Sequence, residues 1–170
     1  KGFVFDVSDA FFIGEPLPSD AEIWIWVPED FGEGHEKGGC WRRLIREVPG
    51  CRGASSAWFR RLAALLKSFG WFQLTTDQAL FVHFSNSRDS GGKLICDGIL
   101  PIHVDDGKMR ASTSVANALF KSFREAEVQL GTCEEQRWGE KIEFCGMTFT
   151  ESAEGEMVDQ DLYIKNKLAP

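Results

Sequence analysis

The chain has 170 residues, 43% of them apolar and 26% charged, which gives room for one domain with a real core and an ordinary globular balance. Nineteen Lys and Arg against twenty-six Asp and Glu leave a net charge of −7, which argues against broad nucleic-acid binding but not against a local basic groove. No apolar run can span a bilayer, no signal-peptide pattern opens the chain, and five scattered cysteines lack any Cys-x-x-Cys, so free thiols are expected in an intracellular protein, cytoplasmic or nuclear and not secreted. The chain starts at Lys1 without a Met and stops at Pro170 just after helix-like residues, so a piece of something longer is expected.

Phe3–Asp9 reads as a short buried strand, with Asp6 among apolar neighbours where an unpaired carboxylate is costly. An Asp capping the following turn is the plainer alternative. Gly14–Asp20 is a loop with two prolines, and Ile23–Val27 is a strand closed by Pro28. The glycine-rich stretch Phe31–Gly39 reads as a loop. His35 and Cys40 are too few for a metal site, and Lys37 breaks any dinucleotide fingerprint. Cys40–Val48 is a second strand, with Arg42, Arg43 and Arg46. Paired with the Trp24 strand it makes a hairpin of aromatic and arginine side chains, suited to nucleic-acid stacking and phosphate contact or simply to a solvated charged face.

Ser55–Phe69 is the clearest helix: Ser55 or Ser56 can cap it, Gly70 can end it, and Trp58, Phe59, Leu62, Leu65, Leu66 and Phe69 recur at helical spacing as core. Ala79–Phe84 is a strand and Ser85–Gly92 a polar turn. Lys93–Val104 is a strand interrupted by Asp97, Gly98 and Pro101. It runs into Asp105-Asp106-Gly107, where a hairpin tip can expose adjacent carboxylates and Gly107 supplies turn freedom. Two packed carboxylates suit a hard divalent ion such as magnesium, although an Asp-Asp-Gly turn is also an ordinary turn. Lys108–Ala111 looks a poor partner strand. Ser112, Thr113 and Ser114 can cap a second amphipathic helix that buries Val115, Leu119, Phe120 and Phe123 and ends near Glu127. Ile142–Phe149 and Met157–Leu162 read as a final hairpin across Glu151–Glu156. Helices plus hairpins, without strand-helix alternation, indicate an α+β fold with a mainly antiparallel sheet packed on helices.

The run Phe5-Asp6-Val7-Ser8-Asp9-Ala10-Phe11-Phe12, the Trp58 helix and His103-Val104-Asp105-Asp106 occur in an order and spacing that resembles the reverse transcriptase of copia-type retrotransposons. The likeness continues through Val48–Arg52, Leu65–Gly70, Leu80-Phe81 and Phe144–Met147, and spans nearly the whole chain. It implies one partial domain over residues 1–170: a palm from 1–15 and 55–170, a fingers hairpin over about 16–54, and no upstream fingers, thumb or ribonuclease segment. It also implies an RNA-directed DNA polymerase that transfers nucleotides onto a primer 3′-hydroxyl. Two Mg2+ ions, with Mn2+ as a substitute, would be held by Asp6, Asp105, Asp106 and the Val7 carbonyl, about 3.5–4 Å apart as two-metal chemistry requires.

By the same resemblance Asp9, Ala10 and Phe11 hold the incoming deoxynucleoside triphosphate, with the Phe11 ring excluding a 2′-hydroxyl. His103, Val104, Phe144 and Gly146 contact the primer. The implied partners are an RNA or DNA template with its primer and the remaining polyprotein segments, integrase and ribonuclease, with no membrane. The chain also departs from the family. His103 replaces a Tyr, Gly53 stands where a nucleotide-holding Gln is expected, and Ser55 replaces a Pro. Lys108 and Arg110 charge a strand that is normally apolar. Those departures point to the alternative of a degenerate, non-catalytic remnant that acts at most as a binding or structural domain.

Overall fold

The computed structural model describes residues 1–29 and 38–168; the loop reading of 31–37, with His35 and Lys37, lies outside the described residues. In chain order the elements are β1 (Gly2–Val7), a 3₁₀ turn (Ala10–Ile13), β2 (Trp24–Val27), β3 (Cys40–Arg43), α1 (Ala54–Ser68), β4 (Phe72–Gln73), β5 (Leu80–Arg88), β6 (Leu94–His103) and β7 (Asp106–Ala111). There follow α2 (Thr113–Glu125), β8 (Leu130–Gln136), β9 (Lys141–Phe144), β10 (Met147–Ser152), β11 (Gly155–Asp159) and the short α3 (Asp161–Tyr163), which continues as a wider turn to Leu168. Two compact units emerge, Lys1–Asp9 with Ala63–Pro170, and Ala10–Leu62. The expected α+β class is found, and every strand pairing among the described residues is antiparallel.

The larger unit is built on a six-stranded sheet in the order β4-β5-β6-β7-β1-β8. Alternation along β1 decides its two faces. Phe3, Phe5 and Val7 are buried, and Phe3 and Phe5 meet the Phe120 ring of α2 edge-to-face at 5.9 and 5.7 Å. Phe5 also meets Phe123 at 5.8 Å. Val4 and Asp6 look the other way, and Val4 packs with Ile142, Phe144 and Phe149 of the small sheet β11-β10-β9. α2 begins as expected, the Ser112 hydroxyl accepting from Val115 N at 3.3 Å.

Both long helices end in the same device. Gly70 N bonds Lys67 O and Trp71 N bonds Leu66 O, with Gly70 left-handed at φ 87°. At the end of α2, Glu127 N bonds Arg124 O and Val128 N bonds Phe123 O, but there the left-handed residue is Glu127, at φ 58°.

Several boundaries differ from the sequence expectation. α1 starts at Ala54, so Ser55 and Ser56 lie inside its first turn. β5 runs to Arg88, and the polar turn shrinks to Asp89–Gly92, whose backbone the Asp89 carboxylate holds through Gly91 N and Lys93 N. β3 stops at Arg43, and beyond it Leu44 N bonds Ile23 O, Ile45 O accepts from Leu17 N and Arg46 forms an isolated bridge with Pro16. The single strand expected over Ile142–Phe149 is two strands, folded at Cys145-Gly146, where both residues have positive φ as a two-residue hairpin turn requires. β8, a polar strand on the sheet's edge, has no counterpart in the sequence reading.

β6 runs on through Asp97, Gly98 and Pro101, but with an irregularity at Asp97, which the ladder to β5 passes over between Gly98 and Cys96. Asp97 bonds His83 Nδ1 at 2.6 Å, and Gly98 leaves room for the Trp71 ring, which a Cβ would approach to 2.8 Å. Opposite β7 the ladder registers Gly98, Ile99, Ile102 and His103 and skips Leu100 and Pro101, so the missing proline N–H is not asked for there. Lys108–Ala111 nevertheless belongs to a strand, registered with β1 at Lys108, Met109 and Arg110 and with β6 at Arg110 and Ala111, and its charges are answered. Lys108 Nζ, buried, bonds both oxygens of Glu156 at 2.7 and 2.8 Å and lies 4.2 Å over the Phe149 ring. Arg110 bonds Glu151 at 2.7 Å.

In the smaller unit β2 and β3 form a two-stranded ribbon with exposed Trp24, Trp26 and Trp41, the last two edge-to-face at 5.5 Å, beside Arg42 and Arg43. No helix among the described residues is long and apolar enough to cross a membrane.

Gly107 is not a turn residue. It sits in extended β7 directly opposite Phe5, whose ring lies across its Cα, and a Cβ there would overlap the ring. Gly107→Ala is therefore expected to destabilise the protein by about 1–3 kcal/mol in chemical denaturation, as overpacking does. The loss should shrink in the Phe5→Leu background. Glu127→Gly is expected to act in the opposite direction, raising stability by about 0.5–1 kcal/mol, since a left-handed L-residue is strained by about 1–2 kcal/mol and glycine returns part of that through unfolded-state entropy.

Candidate active site

β1 and β7 place Asp6 directly across from Asp106. Residues opposed in this way project to the same face with Cα atoms about 4.5–5.5 Å apart. Asp6 and Asp106 therefore share the face that carries Val4 and Lys108, away from the Phe5 core. Val7 N donates to Asp105 O at 3.0 Å, tying the end of β1 to the hairpin tip. His103 pairs with Asp106 and closes a two-residue turn made of Val104 and Asp105. Only the first of these has positive φ, 57° at Val104. That is the pattern of a turn normally opened by glycine. A β-branched residue there is a steric outlier, strained by about 1–3 kcal/mol.

The turn thus relaxes strand alternation as the sequence suggested, but through Val104 rather than Gly107. Asp105 and Asp106 are both half-buried, and His103 and Val104 are exposed. Burial, then the charges of Asp105 and Asp6, push the Asp106 carboxyl above its ordinary value of 3.8, and His103 pulls the other way. Both Asp6 and Asp105 are therefore close enough to act on Asp106. Among the described residues no Lys or Arg is ion-paired with any of them; the nearest cations on that face, Lys108 and Arg110, are held by Glu156 and Glu151.

Asp6 is held from the edge strand. Its Oδ1 accepts from both the N–H and, at 2.6 Å, the hydroxyl of Thr132 on β8. A Cβ on Gly131 would lie 2.7 Å from Asp6 Oδ2. Sequence reading missed both residues, because β8 is polar and almost wholly exposed and carries no apolar period to mark it as a strand.

The hairpin turn between β9 and β10 approaches the same carboxylates. Partial desolvation and then the charge of Asp106 raise the Cys145 thiol above its ordinary value. Phe144 is buried in the small core, Gly146 is exposed with the Tyr163 ring 3.4 Å from where its Cβ would be, and Cys145 is left-handed at φ 52°. The structure therefore brings together Asp6, Val7, His103, Val104, Asp105 and Asp106, with the Phe144–Gly146 turn alongside. Asp9 follows β1, exposed and left-handed at φ 55°. Ala10, buried, and Phe11, half-buried, open the 3₁₀ turn in the smaller unit.

By side-chain chemistry alone, Asp6, Asp105 and Asp106 offer the oxygen donors that a hard divalent cation takes. Among the described residues no three His, Cys, Asp or Glu side chains yet converge on one point; Asp6 has Oδ1 turned to Thr132.

The sign of the Asp106 effect is testable. Its carboxyl binds a proton more readily in the folded chain than in the unfolded one, so its charge removes stability as pH climbs from 3.8 through the raised folded value, and the penalty is complete above that. Asp106→Asn is expected to raise the metal-free melting temperature at pH 7, with the gain vanishing at pH 3. A melting scan of both proteins across that range checks it. No protein-family model matches the chain, and no curated protein matches it.

Proposed function

We propose that the chain is the palm, with part of the fingers, of an RNA-directed DNA polymerase similar to those of copia-type retrotransposons. Its reaction would be attack of a primer 3′-hydroxyl on the α-phosphate of a deoxynucleoside triphosphate, with release of pyrophosphate. The observation that carries this reading is the opposition of Asp6 to Asp106 across β1 and β7, with Asp105 beside them on a strained two-residue turn. Nothing in the packing of the sheet needs three carboxylates at that tip, and clustered like charges are unfavourable without a cation.

Each group has a role in that chemistry. Asp6, Asp105 and Asp106, with the Val7 carbonyl, would bind the divalent ions. Such ions, when bound, lower the pKa of the primer hydroxyl and stabilise the entering and leaving oxygens. The protein's own share is positioning, which dominates phosphoryl transfer. The register bond from Val7 to Asp105 holds the early carboxylate to the late pair. The Phe144–Gly146 turn would support the primer end, and exposed His103 would offer it a planar polar ring. Asp9, Ala10 and Phe11 are assigned to the triphosphate and its sugar. The Trp24, Trp26, Trp41 and Arg43 face of the β2-β3 ribbon suits a template strand by stacking and charge.

The rival reading of a non-catalytic remnant drew on the charges of β7 and the breaks in β6. The ion pairs of Lys108 and Arg110 and the continuity of β6 remove much of that ground. The substitutions at His103 and Gly53 still favour it.

The expressed protein is expected to extend a DNA primer on an RNA template with deoxynucleotides and Mg2+ or Mn2+. Asp105→Asn should reduce that activity about a hundredfold or more, the scale set by removing one charge-stabilising group. Extension that survives this change rejects the assignment, and a folded protein that never extends the primer is the remnant.

A further inference from the structure

We infer that Thr132 is a positioning residue for Asp6: it fixes one carboxylate oxygen so that the other is offered to a divalent cation. This rests on the metal-site reading above. Two donors of one residue, the Thr132 N–H and its hydroxyl, converge on the same atom, Asp6 Oδ1. Hydrogen bonds to a charged acceptor are roughly twice as strong as neutral ones, so the pair sets the carboxylate's rotation as well as its place. Among the described residues Oδ2 takes no such bond. It lies beside Gly131, where a Cβ would press on both Asp6 oxygens and on the Ser8 hydroxyl. One oxygen is engaged by the edge strand, and the absence of a side chain at Gly131 leaves room for the other and for Ser8.

The arrangement also explains why β8, otherwise a solvated edge strand, lies in register with β1 on either side of Asp6. The ladder pairs Phe5 with Cys133 and Val7 with Leu130, and the register shifts between them, at Asp6. That irregularity is what lets Thr132 face the carboxylate with both its donors instead of following the regular alternation. Partners that hold a metal-binding group in this way change affinity by about 10–100-fold when removed.

The test is Mn2+ binding by the metal-free protein, read by electron paramagnetic resonance, together with metal-free melting. Thr132→Val keeps the branched shape and the backbone N–H and removes only the hydroxyl bond. Weakening of Mn2+ affinity by about tenfold or more is expected, with the metal-free melting temperature unchanged and near-native affinity in Thr132→Ser. If Asp6→Asn loses Mn2+ binding while Thr132→Val keeps it, the positioning role is overturned and the metal site stands. If Asp6→Asn binds Mn2+ as the native chain does, the metal site itself falls, and this inference with it. A Thr132→Val protein that melts lower without metal, and is not rescued by Thr132→Ser, shows a structural residue and also overturns the proposal.

Discussion

A slip of one residue between β1 and β7 would turn Asp6 toward Phe120 and Phe123 and lift Phe5 onto the opposite face. The register of that pair is therefore the constraint on which the candidate site depends. It is enforced from the core side. Phe5 lies across Gly107 and meets two rings of α2, so the pairing Phe5 to Gly107 is the one the packing accepts. Its neighbour in each strand is an aspartate, and the two carboxylates meet as a consequence of how the rings pack.

Charge then orders the outer face of the same strands. Along β7 the outward positions run Asp106, Lys108, Arg110, and along the small sheet Glu156 and Glu151 stand opposite each other. Both cations go to the glutamates and neither to the aspartates. Lys108 is the more constrained, being buried, bonded to both Glu156 oxygens and seated on Phe149. A buried charge is tolerable only with such full pairing, and removing one partner typically costs about 3–5 kcal/mol. Strand β7 can thus carry charges where a sheet face is usually apolar. The aspartates are left as the end of the row that has no Lys or Arg ion pair among the described residues.

Much of this was legible in the chain. The alternation of Phe3, Phe5 and Val7, the helical recurrence in α1 and α2, the Ser112 cap and the stop at Gly70 each follow from local rules that tertiary packing reinforces. What was not legible depends on partners distant in sequence. Gly107 looks like a turn glycine until Phe5, about a hundred residues upstream, is laid across it. Lys108 and Arg110 look like a spoiled strand until Glu151 and Glu156 arrive. Asp97 and Gly98 look like breaks until His83 and Trp71 meet them, and Pro101 until the ladder to β7 skips it. β8 has no apolar period because it is an edge strand, and its one informative side chain, Thr132, points at Asp6.

Backbone strain completes the picture, because it falls unevenly. Four non-glycine residues among those described have positive φ: Asp9, Val104, Glu127 and Cys145. Glu127 has an ordinary explanation, since it ends α2 by the bonding pattern that Gly70 provides for α1. Of the other three, Cys145 takes the positive φ that its two-residue hairpin turn requires, and Asp9 and Val104 have no helix to end. Val104 bears Asp105 and Asp106, Cys145 is electrostatically coupled to Asp106, and Asp9 follows the Asp6 strand by two residues. Strain of about 1–3 kcal/mol at each persists only where surrounding contacts over-determine the backbone, and it gathers where side chains must be held in particular positions. A glycine at 104 would relieve the turn at no cost to the core. A branched residue instead narrows the tip's conformational range, beside the Val7 N to Asp105 O bond that ties the tip to β1.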